Sequence, residues 1–275
     1  MIRAESHGPV TRLRFATRGS RLLGYSVSAW VTRDVLVDTG CPGVERELAA
    51  WLRRRPVRGA MVTHHHEDHA GNVALLAELG VPIAAAPDTL DYSRRPASIR
   101  LYRRFAWGAP RPLHAPVVPF TDERLSLLAA PGHSPDHHVV WDAERGHLFG
   151  GDLFLGVKVR LAHPEEDPAR LADSLRRMAA LEPALLLDAH RGPVVHPAPL
   201  LRAKADWIEE TAPTIAGLLA RGVPEREIRR RVLGRESLEG YASRGEYSRL
   251  TLVRAVRRQR MDAASLDAGA ARRHY

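Results

Sequence analysis

VRGAMVTHHHEDHAGNVALLAELG, residues 57–80, is the stretch that decides the fold. Its first seven residues run apolar in the manner of a buried strand. Its close, GNVALLAELG, repeats apolar residues at helical spacing until Gly80, a usual helix terminator. Between the two, His64, His65, His66, Glu67, Asp68 and His69 place four imidazoles and two carboxylates side by side. The run is internal and mixes residue types, so it is no terminal tag. The order strand, histidine loop, helix puts a dense set of metal-type donors at a strand end, where a rigid sheet holds them and a pocket stays open.

Outward from this stretch the same alternation continues. VTRLRFA (10–16), YSVSAWV (25–31) and DVLVD (34–38) read as strands. GCPG then breaks the chain, and ERELAAWLRRR reads as a helix with Leu48, Trp51 and Leu52 on one face. VPIAAAP is a further strand, and residues 88–120 read as an irregular segment rich in arginine, proline and aromatics. RLSLLAAPG, HHVVWD and HLFGGD restore the strand pattern. DPARLADSLRRMAAL is a helix with Asp167 and Pro168 as cap and first-turn pair. ALLLDAH is a short apolar strand, and from about residue 200 onward the pattern is helical. Strands alternating with helices in two similar halves predict an α/β architecture, its sheets covered by helices.

Composition narrows the class. With 275 residues, 44% hydrophobic and 27% charged, the chain reads as a soluble globular protein with an ample core. No apolar run approaches the roughly 18 residues of a membrane span, and the first residues lack an apolar stretch of signal-peptide type. A lone cysteine, Cys41, excludes an internal disulfide, fits a reducing cytoplasm, and reads as a packed free thiol. The net charge of +9 invites a nucleic-acid reading. Yet Lys158 and Lys204 are the only lysines among 41 basic residues, a skew that a GC-rich genome produces as readily as a binding face does. Most of the excess lies in residues 200–275, which read as a solvated basic helical tail.

Four strand ends carry histidine or aspartate: the loop after Thr63, then His133, Asp152 and His190. Imidazole and carboxylate without a cysteine suit a borderline cation such as zinc. His64 and His66, two apart in an extended segment, project to one side and can grip one ion. Asp68 and His69, after the chain bends into the helix, can grip a second.

THHHEDHAGN, PGHSPDH, LFGGDLF and the upstream VDTG together resemble the four signatures of the metallo-β-lactamase-fold hydrolases, in the right order over about residues 20–200. The resemblance implies an αββα four-layer sandwich, taken here as a catalytic domain over 1–200 with a C-terminal helical extension over 201–275. It implies that His64, His66 and His133 hold one metal, that Asp68, His69 and His190 hold another, and that Asp152 bridges them. Asp38 of VDTG then orients ligands, as His137 is also placed to do. Three departures stand out. The last motif reads AHRGP with an extra Arg191, which leaves His196 as a neighbouring substitute for His190. Asn72 and Asp136 each replace a usual glycine, Asp136 facing either substrate or solvent. His65, between two ligands, points away. His7, His114, His147, His163 and His274 read as ordinary surface or core residues.

Two zinc ions, with iron or manganese as alternatives, would share a water and present a metal-bound hydroxide to a carbonyl, with Asp68 orienting the nucleophile. The expected activity is hydrolysis of a thioester, ester or lactone of the glyoxalase II or lactonase type. The alternatives are a phosphodiesterase or nuclease, which lacks any further recognisable motif here, and a mononuclear iron persulfide dioxygenase, for which seven ligands are unnecessary. The arginines and aromatics of residues 88–120, with Lys158 downstream of Asp152, suit a small anionic and partly apolar substrate such as an anionic thioester. Nucleic acid and membrane partners are disfavoured, and a homodimer is left open.

Overall fold

In the computed structural model the stretch at 57–80 is a strand, a loop and a helix. Residues 1–159 and 161–271 are described, with side chains as far as Met261, so Arg160 and His274 lie outside them. Contacts divide the chain into two compact units. The first comprises Met1–Ala130, Asp136–Leu155 and Leu181–Pro197; the second comprises Pro131–Pro135, Gly156–Ala180 and the chain from Ala198 onward.

The first unit holds two sheets. One runs in the order β1 (Ile2–His7), β2 (Val10–Phe15), β3 (Val27–Thr32), β4 (Val35–Val37), β5 (Gly59–Met61), β6 (Ile83–Ala84). It is antiparallel as far as β4, then parallel through β5 and β6. The other contains β7 (Leu125–Ala129), β8 (His138–Asp142), β9 (His147–Gly151), β10 (Leu185–Asp188) and β11 (Gly192–Val195), ordered β11-β10-β9-β8-β7. Only β9 and β10 pair in parallel there.

Side-chain alternation explains the layering. Val35, Val37, Trp30 and Met61 turn inward and pack with Val140, Phe149 and Leu187 of the other sheet. Leu36, Leu13, Phe15 and Ala60 turn the other way. There they meet Leu48, Trp51 and Leu52 of a helix at Glu45–Arg54 and Val73, Leu75 and Leu76 of another at Val73–Glu78. In chain order the helices of this unit are α1 (Arg18–Leu22), α2 (Glu45–Arg54), α3 (Val73–Glu78), α4 (Pro87–Arg94) and α5 (Leu101–Trp107). Strand β4 is buried on both faces, which is why DVLVD reads as a continuous apolar run rather than an alternating one.

The second unit is helical: α6 (Pro168–Ala180), α7 (Pro197–Ala220), α8 (Glu225–Ile228), α9 (Leu238–Ala242) and α10 (Arg249–Ala271). Its core gathers Ile215, Leu218, Ile228, Leu252, Val253 and Val256. No helix among the described residues is long and apolar enough to cross a membrane.

Three elements differ from the expectation. Residues 88–120 are not wholly irregular, since they contain α5 and nearly all of α4. Strand β1 has no fully buried residue, so its sequence carries no apolar alternation; pairing with β2 alone makes it a strand. Strand β11, which contains Pro193, forms by turning back antiparallel along β10.

Candidate metal centre

Parallel pairing assembles the site. Because β4 and β5 run the same way, their C-terminal ends coincide, and Asp38 lies against Thr63 and the histidine loop. Because β9 and β10 run the same way, Asp152 and His190 emerge side by side. At the turn between β9 and Asp152, Gly151 has φ +50°, and a Cβ there would stand 2.8 Å from Thr63 Oγ1 and 2.9 Å from His137 Nε2. Only glycine lets the aspartate loop approach the histidine loop this closely.

Two groups of donors result. The ligand atoms of His64, His66 and Asp152 all lie within 4.8 Å of one another, and so do those of Asp68, His69 and His190. Asp152 reaches into the second group as well: its Oδ1 is 3.2 Å from His69 Nε2 and 3.3 Å from His190 Nε2. His190 Nε2 also stands 3.4 Å from Asp68 Oδ2. One carboxylate is therefore common to both groups. His133 belongs to the Pro131–Pro135 turn of the second unit, where it is buried with its Nδ1 3.5 Å from Glu166 Oε1. That turn leaves the first unit at Ala130, whose N–H donates to His137 O at 2.9 Å.

The backs of the donors are held. Asp38, at φ +63°, accepts from Thr63 N–H (2.8 Å) and Thr63 Oγ1, and its Oδ2 meets His69 Nδ1 at 2.9 Å. This leaves His69 Nε2 aimed at the centre. His137 is buried, its Nδ1 on Ala130 O at 3.1 Å and its Nε2 accepting Asp152 N–H at 3.2 Å, so its ring ties the aspartate loop to the end of β7. Asp188 accepts the N–H groups of Leu155, His190 and Arg191 and so shapes the last loop despite the extra arginine. Asn72 does more than tolerate a glycine position: its Nδ2 donates to the carbonyls of Thr39, Gly40 and Cys41, tying the VDTG loop to the start of α3.

Burial opposes every charge in the centre, yet opposite charges prevail. Asp152 and Asp68 raise His69 and His190 well above the ordinary imidazole range. In turn His190 and His69 hold Asp152 well below the usual carboxylate range, and Asp68 below it too. The carboxylates that favour protons on these imidazoles would favour a cation in the same place. His69 Nε2 is buried and faces the carboxylates of Asp152, at 3.2 Å, and Asp68, at 4.0 Å.

A sequence model of the family described as the metallo-beta-lactamase superfamily matches residues 24–190, which carry all seven of these histidines and aspartates. The chain belongs to that superfamily. Metallo-beta-lactamase FIM-1 from Pseudomonas aeruginosa, in its mono-zinc form, shares the fold with a TM-score of 0.59 at 20% identity over 76% of this chain and 95% of its own. A metallo beta lactamase from Erythrobacter litoralis does so at 0.56 and 22% identity, over 76% and 96%. Among curated relatives, the hydroxyacylglutathione hydrolase of Thiobacillus denitrificans is 35% identical over 160 residues, 56% of each chain. That of Rhodobacter capsulatus is 31% identical over 166 residues, 56% of this chain and 58% of its own. The chain thus spans little more than half the length of these relatives.

Within this superfamily frame several residues take places that the sequence did not give them. Asp136 meets neither open alternative, being 2% exposed. It accepts from His65 N–H (2.9 Å), meets His65 Nδ1 (2.8 Å), and accepts from Thr89 Oγ1 (2.7 Å). His65 is held there, stacked on Tyr92 with ring centroids 4.2 Å apart. The arginines of residues 88–120 are partly committed: Arg103 is buried in a forked pair with Glu67, while Arg111 bonds Glu45 and Glu78. Cys41 is buried in the apolar core, and burial, reinforced by the charge of Asp68, pushes its thiol up to about 12. Lys158 is exposed in the second unit. Strand β11 carries His196 to the opposite end of β10, roughly 13 Å from His190 at 3.3 Å per residue. Asp188 and Asp136 were findable only as short polar residues at strand ends, a weak signal by itself.

Proposed function

We propose that the protein is a dinuclear metal-dependent hydrolase of a thioester, with esters and lactones as related carbonyl substrates. The observation that carries this reading is the Asp152 carboxylate common to the two donor groups. In it, His64, His66 and His133 hold one ion, Asp68, His69 and His190 hold the other, and Asp152 serves both. Zinc is the proposed metal, with iron or manganese as alternatives; the donors are imidazole and carboxylate, and the single thiol lies in the core.

When bound, the ions supply Lewis acidity to the carbonyl oxygen and lower the pKa of water toward neutrality. The chain's own groups do the rest. Asp38 fixes the His69 ring and His137 fixes the Asp152 backbone, so both ligands are oriented before any ion or substrate arrives. Asp68 is the carboxylate that orients the attacking water and takes its proton. His137, with both nitrogens engaged, is a positioning residue and not the base. Lys158 is the exposed cation offered to an anionic substrate. The relatives named for hydroxyacylglutathione, a thioester of an anionic peptide, support a thioester over a phosphodiester.

The test is a substrate panel with metal analysis. Thioester hydrolysis should be abolished by a chelator, restored by zinc, and lost in Asp152→Ala. Its rate should depend weakly on salt, because a small ligand engages one or two charge pairs. Metal-dependent RNA or DNA cleavage that exceeds any thioester turnover, with the steep salt slope of many phosphate contacts, would refute the proposal.

A further inference from the structure

The basic tail has so far no task, and His133 has so far no explanation for its aim. Both belong to the second unit, and a chain of short contacts joins them. Ser174 Oγ of α6 donates to Pro131 O at 2.8 Å, and Asp167 N–H donates to Gly132 O at 2.8 Å. Gly132 has φ +136°, and a Cβ on it would come within 2.3 Å of Leu171 N, so the His133 turn lies directly on the first turn of α6. The loop that leads into α6, Pro164–Asp167, supplies Glu166. Its Oε1 accepts His163 N–H at 3.1 Å and faces His133 Nδ1 at 3.5 Å.

That loop has little regular structure of its own, and α10 grips it from the other side. Arg258 Nη2 donates to Pro164 O at 2.6 Å and to Glu166 O at 3.3 Å. Gln259 Nε2 donates to Asp167 Oδ1, the same oxygen that accepts Arg170 N–H in the first turn of α6. The helix that carries these two side chains is anchored independently, with Leu252, Val253 and Val256 buried against Ile215 and Ile228. Neighbouring arginines of α10 are used elsewhere: Arg254 and Arg257 both pair with Glu225. Arg249 donates to the carbonyls of Leu233 and Arg235, whereas the guanidinium of Arg258 goes to the Pro164–Asp167 loop.

We propose that α10 is a latch for His133: Arg258 and Gln259 fix the Pro164–Asp167 loop, and through it Glu166 sets the orientation of the His133 ring. Glu166, Arg258 and Gln259 are positioning residues. The inference rests on the reading of His133 as a metal ligand. A ligating histidine whose other nitrogen faces a carboxylate is held in one tautomer and one orientation, and removing such a partner weakens metal binding by about 10–100-fold. The tail, on this account, is part of the metal centre although it holds no donor.

The test compares wild type, Glu166→Ala, the double variant Arg258→Ala/Gln259→Ala, and Arg258→Lys. Zinc affinity is measured by competition with a chromogenic chelator, and the visible spectrum of the cobalt(II)-loaded protein is recorded. We expect Glu166→Ala to weaken one of the two zinc sites by about 10–100-fold. The double variant should weaken the same site and shift the cobalt bands, while the metal-free protein unfolds within a few degrees of wild type. Arg258→Lys, which keeps a cation able to donate to both carbonyls, should restore wild-type affinity and spectrum. A double variant with unchanged zinc affinity and cobalt spectrum overturns the latch. An unchanged Glu166→Ala overturns the link to His133. A wild type that binds no metal overturns the ligand reading beneath both.

Discussion

Arg33 offers a sharp test of what holds the two sheets together. It sits in the two-residue turn between β3 and β4, and its guanidinium reaches Asp142 at the end of β8 in the other sheet. Nε donates to Oδ2 at 2.9 Å and Nη2 to Oδ1 at 3.1 Å, with side chains 7% and 0% exposed. Removing one partner of a buried pair leaves an uncompensated charge and costs about 3–5 kcal/mol. In Arg33→Ala, Asp142 keeps the Arg145 N–H at 3.2 Å, which argues for the lower end, about 3 kcal/mol. Arg33 has φ +49°, but alanine meets the same backbone strain as arginine, so the turn contributes little to the difference. For a chain of this size the loss corresponds to a fall in Tm of roughly 6–12 °C.

The pH dependence has a definite sign. Burial pushes the Asp142 carboxyl up, but Arg33 and the Arg145 N–H outweigh it and hold it below its ordinary value. A depressed carboxylate contributes stability that is complete above its unfolded pKa of about 3.9 and is lost as pH falls through the folded value. The gap between wild type and Arg33→Ala should therefore be full at pH 7 and narrow on acidification below about pH 4. Thermal unfolding followed by circular dichroism at both pH values measures it. The pair lies at the start of β4, roughly 10 Å of strand from Asp38, so metal content should not change. A loss under about 1 kcal/mol at pH 7, or a gap that widens in acid, would refute the reasoning.

Two further outcomes follow from the geometry. His190→Ala should lose one of two metal ions by elemental analysis while His196→Ala keeps both, because antiparallel β11 takes His196 to the far end of β10; the reverse result would overturn the assignment. Cys41, fully buried with its thiol raised to about 12, should resist iodoacetamide at pH 8 in the native protein and react once the chain is denatured. Stoichiometric labelling of the folded protein would show that the core opens there.

The candidate ligands were legible because each lies where an apolar run stops. Met61 and Val62 lead into His64, Phe149 into Asp152, and Leu187 into His190, so the pattern that predicts a strand also marks its end. Helix α2 was legible for the same local reason, with Leu48, Trp51 and Leu52 on one face. What escaped the sequence depends on partners distant along the chain. Asp136 reads as a polar turn residue until His65, 71 positions away, brings its N–H and ring to it. Arg103 is one of the arginines of residues 88–120 that suit an anionic substrate until packing buries it against Glu67. Strand β1 has no buried face to write a pattern with, and residues 88–120 hide α5 because their prolines and arginines mask the few turns that pack.

The sequence by itself named the candidate donors, their order, and the strand ends that present them, since hydrophobic runs and ligand spacing are local properties. Only the tertiary structure decided how the loops that carry them meet, with Asp152 in reach of both groups. That depends on the parallel registers of β4 with β5 and of β9 with β10, where long-range pairing brings strand ends together whatever their separation along the chain.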